Sequence, residues 1–165
     1  MNFFVIGLPR SRTAWLANFL THEKHCFHEG LDGCHNIGQY RQKLGSDHGD
    51  SSTGLMLLDM NKEFPDAPKV IIEGRVKEAI DYGYKTYGHY NPDYIDHLNQ
   101  RMHRIEGMRV QFDDIDKKLP EIWQHLIGTP YDEKRGELLQ RMKIEVKDPF
   151  DYNVESVKAL CNSLN

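Results

Sequence analysis

No apolar run in this chain approaches the roughly 18 residues a helix needs to cross a bilayer, so a membrane-spanning segment is not expected. The run Phe3-Phe4-Val5-Ile6 is broken by Gly7, Pro9 and Arg10. It lacks a basic leading region and is too short for a secretory signal. Cysteine is scarce: Cys26, Cys34 and Cys161 are three, an odd number that cannot all pair within one chain. Without a leader, that predicts free thiols in a reducing, cytoplasmic setting. A basic excess is also missing, since 25 acidic residues outweigh 21 basic ones for a net charge of −4. Neither nucleic acid nor a membrane surface is therefore expected as a general partner. Internal repeats and low-complexity tracts are absent. The 165 residues suit a single domain over 1–165. Such a length buries about two thirds of its unfolded surface without needing a disulfide or a metal.

Strand and helix patterns alternate. Residues 2–6 read as a short buried strand, 8–12 as a turn, and Thr13 onward as a helix in which Trp15/Phe19 and Leu16/Leu20 are i,i+4 pairs. A second strand is predicted at 25–28, a polar helix at 36–44, and a loop at 45–53 from its Gly, Ser, Asp and Thr content. Leu55 to Phe64 predicts a helix stopped by Pro65 and Pro68, and Lys69 to Glu73 a second clear buried strand. A helix from about Val76 follows, then another opened by Asn91-Pro92-Asp93 and running to Ile105. Met108 to Phe112 is a strand candidate, and helices are expected near 118–127, 131–142 and 152–163. The pattern predicts an α/β fold with a central parallel sheet and a mostly helical C-terminal portion over 113–165.

The richest chemistry follows the first strand, in Gly7-Leu8-Pro9-Arg10-Ser11-Arg12-Thr13-Ala14-Trp15. A strand feeding a helix leaves the first helical N–H groups pointing into the loop, where the macrodipole favours an anion. Two arginines and two hydroxyls there add donors suited to phosphate or sulfate oxygens. Laid on the nucleotide-hydrolysing pattern Gly-x-x-x-x-Gly-Lys-[Ser/Thr], the segment puts Arg12 at the second Gly, Thr13 at the Lys and Ala14 at the metal-binding hydroxyl. A Mg²⁺-dependent kinase or ATPase is disfavoured on those residues.

Pro9-Arg10-Ser11-Arg12-Thr13-Ala14-Trp15 resembles the 5′-phosphosulfate loop, Pro-[Lys/Arg]-Ser-Gly-Thr-Thr-Trp, of the sulfotransferases that use 3′-phosphoadenosine 5′-phosphosulfate (PAPS). The resemblance extends to Val70-Ile71-Ile72-Glu73-Gly74-Arg75, similar to the strand whose Arg holds the 3′-phosphate. It reaches Val110-Gln111-Phe112-Asp113-Asp114-Ile115, similar to a later Tyr-Glu-Asp-Leu corner. It implies a P-loop-type three-layer fold and metal-free transfer of a sulfuryl group from PAPS to a hydroxyl or amine. By the same resemblance Arg10 faces the bridging oxygen, while Pro9, Ser11, Arg12, Thr13, Ala14, Trp15 and the loop amides form the 5′ side. Arg75 takes the 3′-phosphate.

The chain departs from the family pattern in places. Arg12 stands where the family has Gly, and Gly83, beside Tyr82, stands where it has a Ser after the 3′-phosphate Arg. The family's Lys-Thr-His strand, bearing its general base, corresponds to Gly49-Asp50-Ser51-Ser52-Thr53-Gly54, which has no His. The Gly-rich lid has no counterpart. Two rival readings follow: a non-catalytic nucleotide- or anion-binding protein on the same fold, and a nucleotide kinase with a degenerate loop.

Residues 22–35 concentrate His22, His25, Cys26, His28, Cys34 and His35. Cys26-x-His28 and the adjacent Cys34-His35 are spaced too tightly for a tetrahedral zinc site, so no metal is expected there. If 25–28 is a strand lying beside the first, His28 ends it near the anion loop. It is then the candidate general base, with Glu29 orienting it. Tyr82, Tyr84, Tyr87, Tyr90 and Tyr94 fall near helical spacing and suit packing better than a nucleobase platform. The acceptor and the oligomeric state are left open by the sequence.

Overall fold

The computed structural model describes residues 1–87 and 91–141. The expected helix near 152–163, Tyr90 and Cys161 lie outside the described residues. Five strands, β1 (Phe3–Gly7), β2 (Cys26–His28), β3 (Gly49–Ser52), β4 (Lys69–Glu73) and β5 (Met108–Gln111), form one all-parallel sheet in the order β2-β3-β1-β4-β5. The helices are α1 (Thr13–Leu20), α2 (Ile37–Leu44), α3 (Met60–Glu63), α4 (Val76–Tyr87), α5 (Pro92–His103), α6 (Ile115–Leu126) and α7 (Glu133–Arg141).

A parallel sheet needs both faces covered, and β1 alternates accordingly. Phe3 and Val5 pack on one side with Trp15, Leu16 and Phe19 of α1 and Leu119, Ile122 and Trp123 of α6. Phe4 and Ile6 pack on the other with Tyr40 of α2, Met60 of α3 and Ile95, Leu98 and Met102 of α5. Each such side chain contributes about 1.5–3 kcal/mol of burial. The result is three layers, helix–sheet–helix. Helix α7 lies antiparallel to α1. The Arg135 guanidinium donates to the carbonyls of Phe19 (2.9 Å) and Thr21 near the end of α1, while the Trp15 indole N–H reaches the Leu139 carbonyl at 3.2 Å.

Two expectations are corrected. The segment 45–53, read as a loop, contains β3. That strand lies between β2 and β1, so β2 is not the neighbour of β1. Gly49-Asp50-Ser51-Ser52 has no apolar or β-branched residue to mark a strand. It forms one because every residue is buried and the side chains of Asp50, Ser51 and Ser52 all find hydrogen-bond partners. Elsewhere only boundaries shift. The expected helix at 55–64 is two pieces, a 3-10 turn at Gly54–Leu57 and α3, because Asp59 caps a new start by accepting from the Lys62 amide at 3.3 Å. Helix α6 begins at Ile115, just after a 3-10 turn at Phe112–Asp114. Asn91 caps α5 as its sequence predicts, accepting from the Asp93 amide at 2.9 Å.

From β1 the chain leaves toward β2, and from its neighbour β4 it leaves the other way, toward β5. The carboxyl ends of β1 and β4 therefore border the crevice where open parallel sheets bind ligands.

Candidate functional site

Gly7 ends β1, and the chain turns at once. The Ser11 amide donates to the Leu8 carbonyl at 3.1 Å, closing a four-residue turn with Pro9 in second place. The third place of a type II turn requires positive φ, and Arg10 supplies it at +70°. Two residues on, Arg12 is also left-handed, with φ +62° and ψ +22°, at the N-cap of α1. Glycine adopts this region freely, whereas any other residue pays about 1–2 kcal/mol. Ser11, between them, is fully buried, and its Oγ has no hydrogen-bond partner among the described residues. The loop folds so closely over the strand end that a Cβ on Gly7 would lie 2.9 Å from the Ser11 Cβ. With the Ser11 amide committed to that turn, the loop leaves the strand's carboxyl end facing the start of α1, a setting that favours an anion. The first amides of α1 add to it, and no acidic residue lies in that helix's first turn.

The basic side chains differ in their engagements. Arg12 Nη1 lies 2.8 Å from Asp116 Oδ1 of α6, and its guanidinium sits 4.3 Å over the Trp15 ring. Arg75, just past β4, has Nη1 at 3.0 Å from Glu78 Oε1 and lies 4.1 Å over Phe112, while its Nε is buried without a partner among the described residues. Exposed Arg10 pairs with no carboxylate among the described residues; it lies 5.5 Å over the Tyr82 ring of α4. Thr13 is buried, and its carbonyl accepts from Ser51 Oγ at 2.7 Å. Pro9 and Ala14 are half-buried, and Trp15 stacks on Phe19 within the core. The loop and Arg75 come together on adjacent strands, Gly7 being in register with Ile72.

His28 ends β2, two strands and so about 10 Å from β1. Its Nδ1 lies 2.9 Å from the Ser51 carbonyl oxygen. A carbonyl only accepts, so the neutral ring carries its proton on Nδ1 and its basic lone pair on Nε2. Ser51 thus joins His28, through its carbonyl, to the anion loop, through its hydroxyl. The Glu29 carboxylate accepts from the amides of Thr53 (3.1 Å) and Gly54 (3.4 Å), beyond β3.

Residue-by-residue reading of the sequence missed the partners on β3. Asp50, fully buried, accepts from the Tyr40 hydroxyl at 2.7 Å, from the Gly30 amide at 3.2 Å and from Ser52 Oγ. Burial outweighs those bonds and lifts its carboxyl from 3.8 to about 6, and the Tyr40 phenol is raised as well, by burial first and by Asp50 second. The one pointer to β3 was the resemblance noted in the sequence, which lays Gly49 to Gly54 on the strand that bears Lys-Thr-His in the PAPS-dependent sulfotransferases.

Among the described residues no three His, Cys, Asp or Glu side chains converge as a metal site. A cavity of about 370 Å³ lies at the opposite, amino edge of the sheet, lined by Phe3, Leu20, His22 and His125 among others, away from the loop. No family model matches the chain, and comparison with curated proteins gave no match.

Proposed function

We propose that the protein transfers a sulfuryl group from PAPS to a hydroxyl or amine acceptor, with no metal ion taking part. The observation that carries this reading is the loop at the carboxyl end of the central strand, where two left-handed arginines flank a buried hydroxyl that has no partner among the described residues. A fold holds such strain where a ligand repays it. The family's Gly falls on Arg12, a position whose φ of +62° is the one Gly takes without cost.

In this reading the loop amides and Ser11 grip the 5′-phosphate, and Arg75 meets the 3′-phosphate through its unpartnered Nε. Arg10, which pairs with no carboxylate among the described residues, stabilises charge on the bridging oxygen as the S–O bond to the 5′-phosphate breaks. The acceptor oxygen or nitrogen forms the new bond to sulfur, and its proton passes to His28 Nε2. Thr13 and Ala14, standing where a kinase loop has its lysine and metal-binding hydroxyl, argue against phosphoryl transfer.

One observation favours a second reading, a non-catalytic nucleotide-binding protein: Arg12 and Arg75 are already engaged by Asp116 and Glu78. Calorimetric titration with PAPS and with 3′,5′-bisphosphoadenosine decides between the two. We expect heat without Mg²⁺ and affinity at least about tenfold weaker in Arg10→Ala, the loss of one charge-assisted contact. No heat with the wild type, or unchanged affinity in the variant, overturns the assignment. Binding with no turnover across an acceptor panel supports the second reading, and Mg²⁺-dependent turnover of ATP supports a kinase.

A further inference from the structure

The corner after β2 is built with more constraint than a three-residue strand needs. Glu29 is left-handed, with φ +53°, a conformation that disfavours a side chain. Its carboxylate spans to the corner after β3 and accepts from the Thr53 and Gly54 amides. The next residue, Gly30, is tied inward, its amide donating to Asp50 Oδ1 at 3.2 Å. Two carboxylates thus tie this corner to β3 and the turn after it, and the residue immediately before the corner is His28, its Nδ1 on the Ser51 carbonyl. Non-glycine residues hold left-handed backbone when the surroundings over-determine it, and such positions cluster at functional sites.

We infer that Glu29 is a positioning residue: by clamping the β2 corner to the amides of Thr53 and Gly54, it holds the His28 ring on the Ser51 carbonyl and so fixes the tautomer whose Nε2 is basic. As far as it concerns catalysis, this rests on the reading of His28 as the base. The tautomer itself does not. Glu29 acts through the backbone, not as a contact to substrate.

Glu29→Gly is the informative variant, because it removes the clamp while relieving the left-handed strain, so that folding is favoured. Glu29→Gln keeps one accepting oxygen. Long-range ¹H–¹⁵N correlation spectra of histidine-labelled protein report which ring nitrogen of His28 carries the proton. We expect Nδ1–H in the wild type and in Glu29→Gln, and a mixed population or Nε2–H in Glu29→Gly. An Nε2–H wild type, or a Glu29→Gly spectrum identical to it, overturns the inference. Calorimetry with 3′,5′-bisphosphoadenosine separates the two claims. Affinity within about twofold of wild type in Glu29→Gly, with turnover at least about tenfold lower, fits the positioning role. Full turnover in Glu29→Gly refutes that role while leaving the nucleotide site intact. Failure of the wild type to bind refutes the functional reading and leaves the tautomer result standing by itself.

Discussion

Arg10 sets a backbone preference against a side-chain task. Its left-handed φ costs about 1–2 kcal/mol, and an exposed guanidinium 5.5 Å over Tyr82 returns less than that. Glycine at this position relieves the strain and gives back part of the gain through a looser unfolded chain. Arg10→Gly is accordingly expected to unfold at the same or slightly higher denaturant concentration, by up to about 1 kcal/mol, while losing at least about tenfold in bisphosphate affinity. Denaturation alongside calorimetry checks both halves, and a destabilised variant would show that Arg10 serves the fold. At this scale the sequence is informative where partners are local. The pairing of Arg75 with Glu78, three residues on, belongs to that class. The ion pair of Arg12 with Asp116 joins residues 104 positions apart, and only the folded chain brings them together.

Strand β3 shows what periodicity misses. A strand normally announces itself by alternating apolar residues, which pack its faces. β3 packs by hydrogen bonding instead: Asp50 to Tyr40 and Gly30, Ser51 to Thr13. Such bonds lie between residues distant in the chain, so no local window contains them. Its first residue carries a steric constraint too, since a Cβ on Gly49 would fall 2.1 Å from Cε2 of the buried Phe3 ring. Gly49→Ala must displace that ring or the strand, and overpacking of this kind costs about 1–3 kcal/mol. A drop of that size in chemical unfolding is the expected result; an unchanged midpoint would mean that the β1–β3 contact is looser than described. The strands with apolar centres, β1 and β4, were legible because their side chains alone report burial on both faces.

For the molecule as a whole, the alternation of strands and helices was enough to predict a parallel sheet, but not its order. Order depends on which strand β3 joins, and β3 was invisible. The same buried strand gives global stability a pH dependence. Asp50 titrates near 6 in the folded protein and near 3.8 unfolded, so the native state binds the extra proton between those values. Stability from this group is full below about pH 4 and is lost as pH rises through 6, by about 3 kcal/mol in all. Unfolding free energies at pH 4.5 and 7 in wild type and Asp50→Asn isolate the effect: the wild type should lose more over that interval. An equal loss in both would assign the dependence to other groups.

The placement of Arg12 over Trp15, finally, gives the protein an optical probe of its own. Both tryptophans have a guanidinium over the ring, but Trp15 faces Arg12 of the anion loop at 4.3 Å, whereas Trp123, buried in the core with its N–H toward Thr129, faces Arg135 of α7 at 5.4 Å. An anion that draws Arg12 away from Asp116 also lifts a charge off an indole, shifting its emission. Titrated with 3′,5′-bisphosphoadenosine, the Trp123→Phe protein should report occupancy through intrinsic fluorescence, and Trp15→Phe should stay silent. Ligands could then be screened without labels and before any acceptor is known.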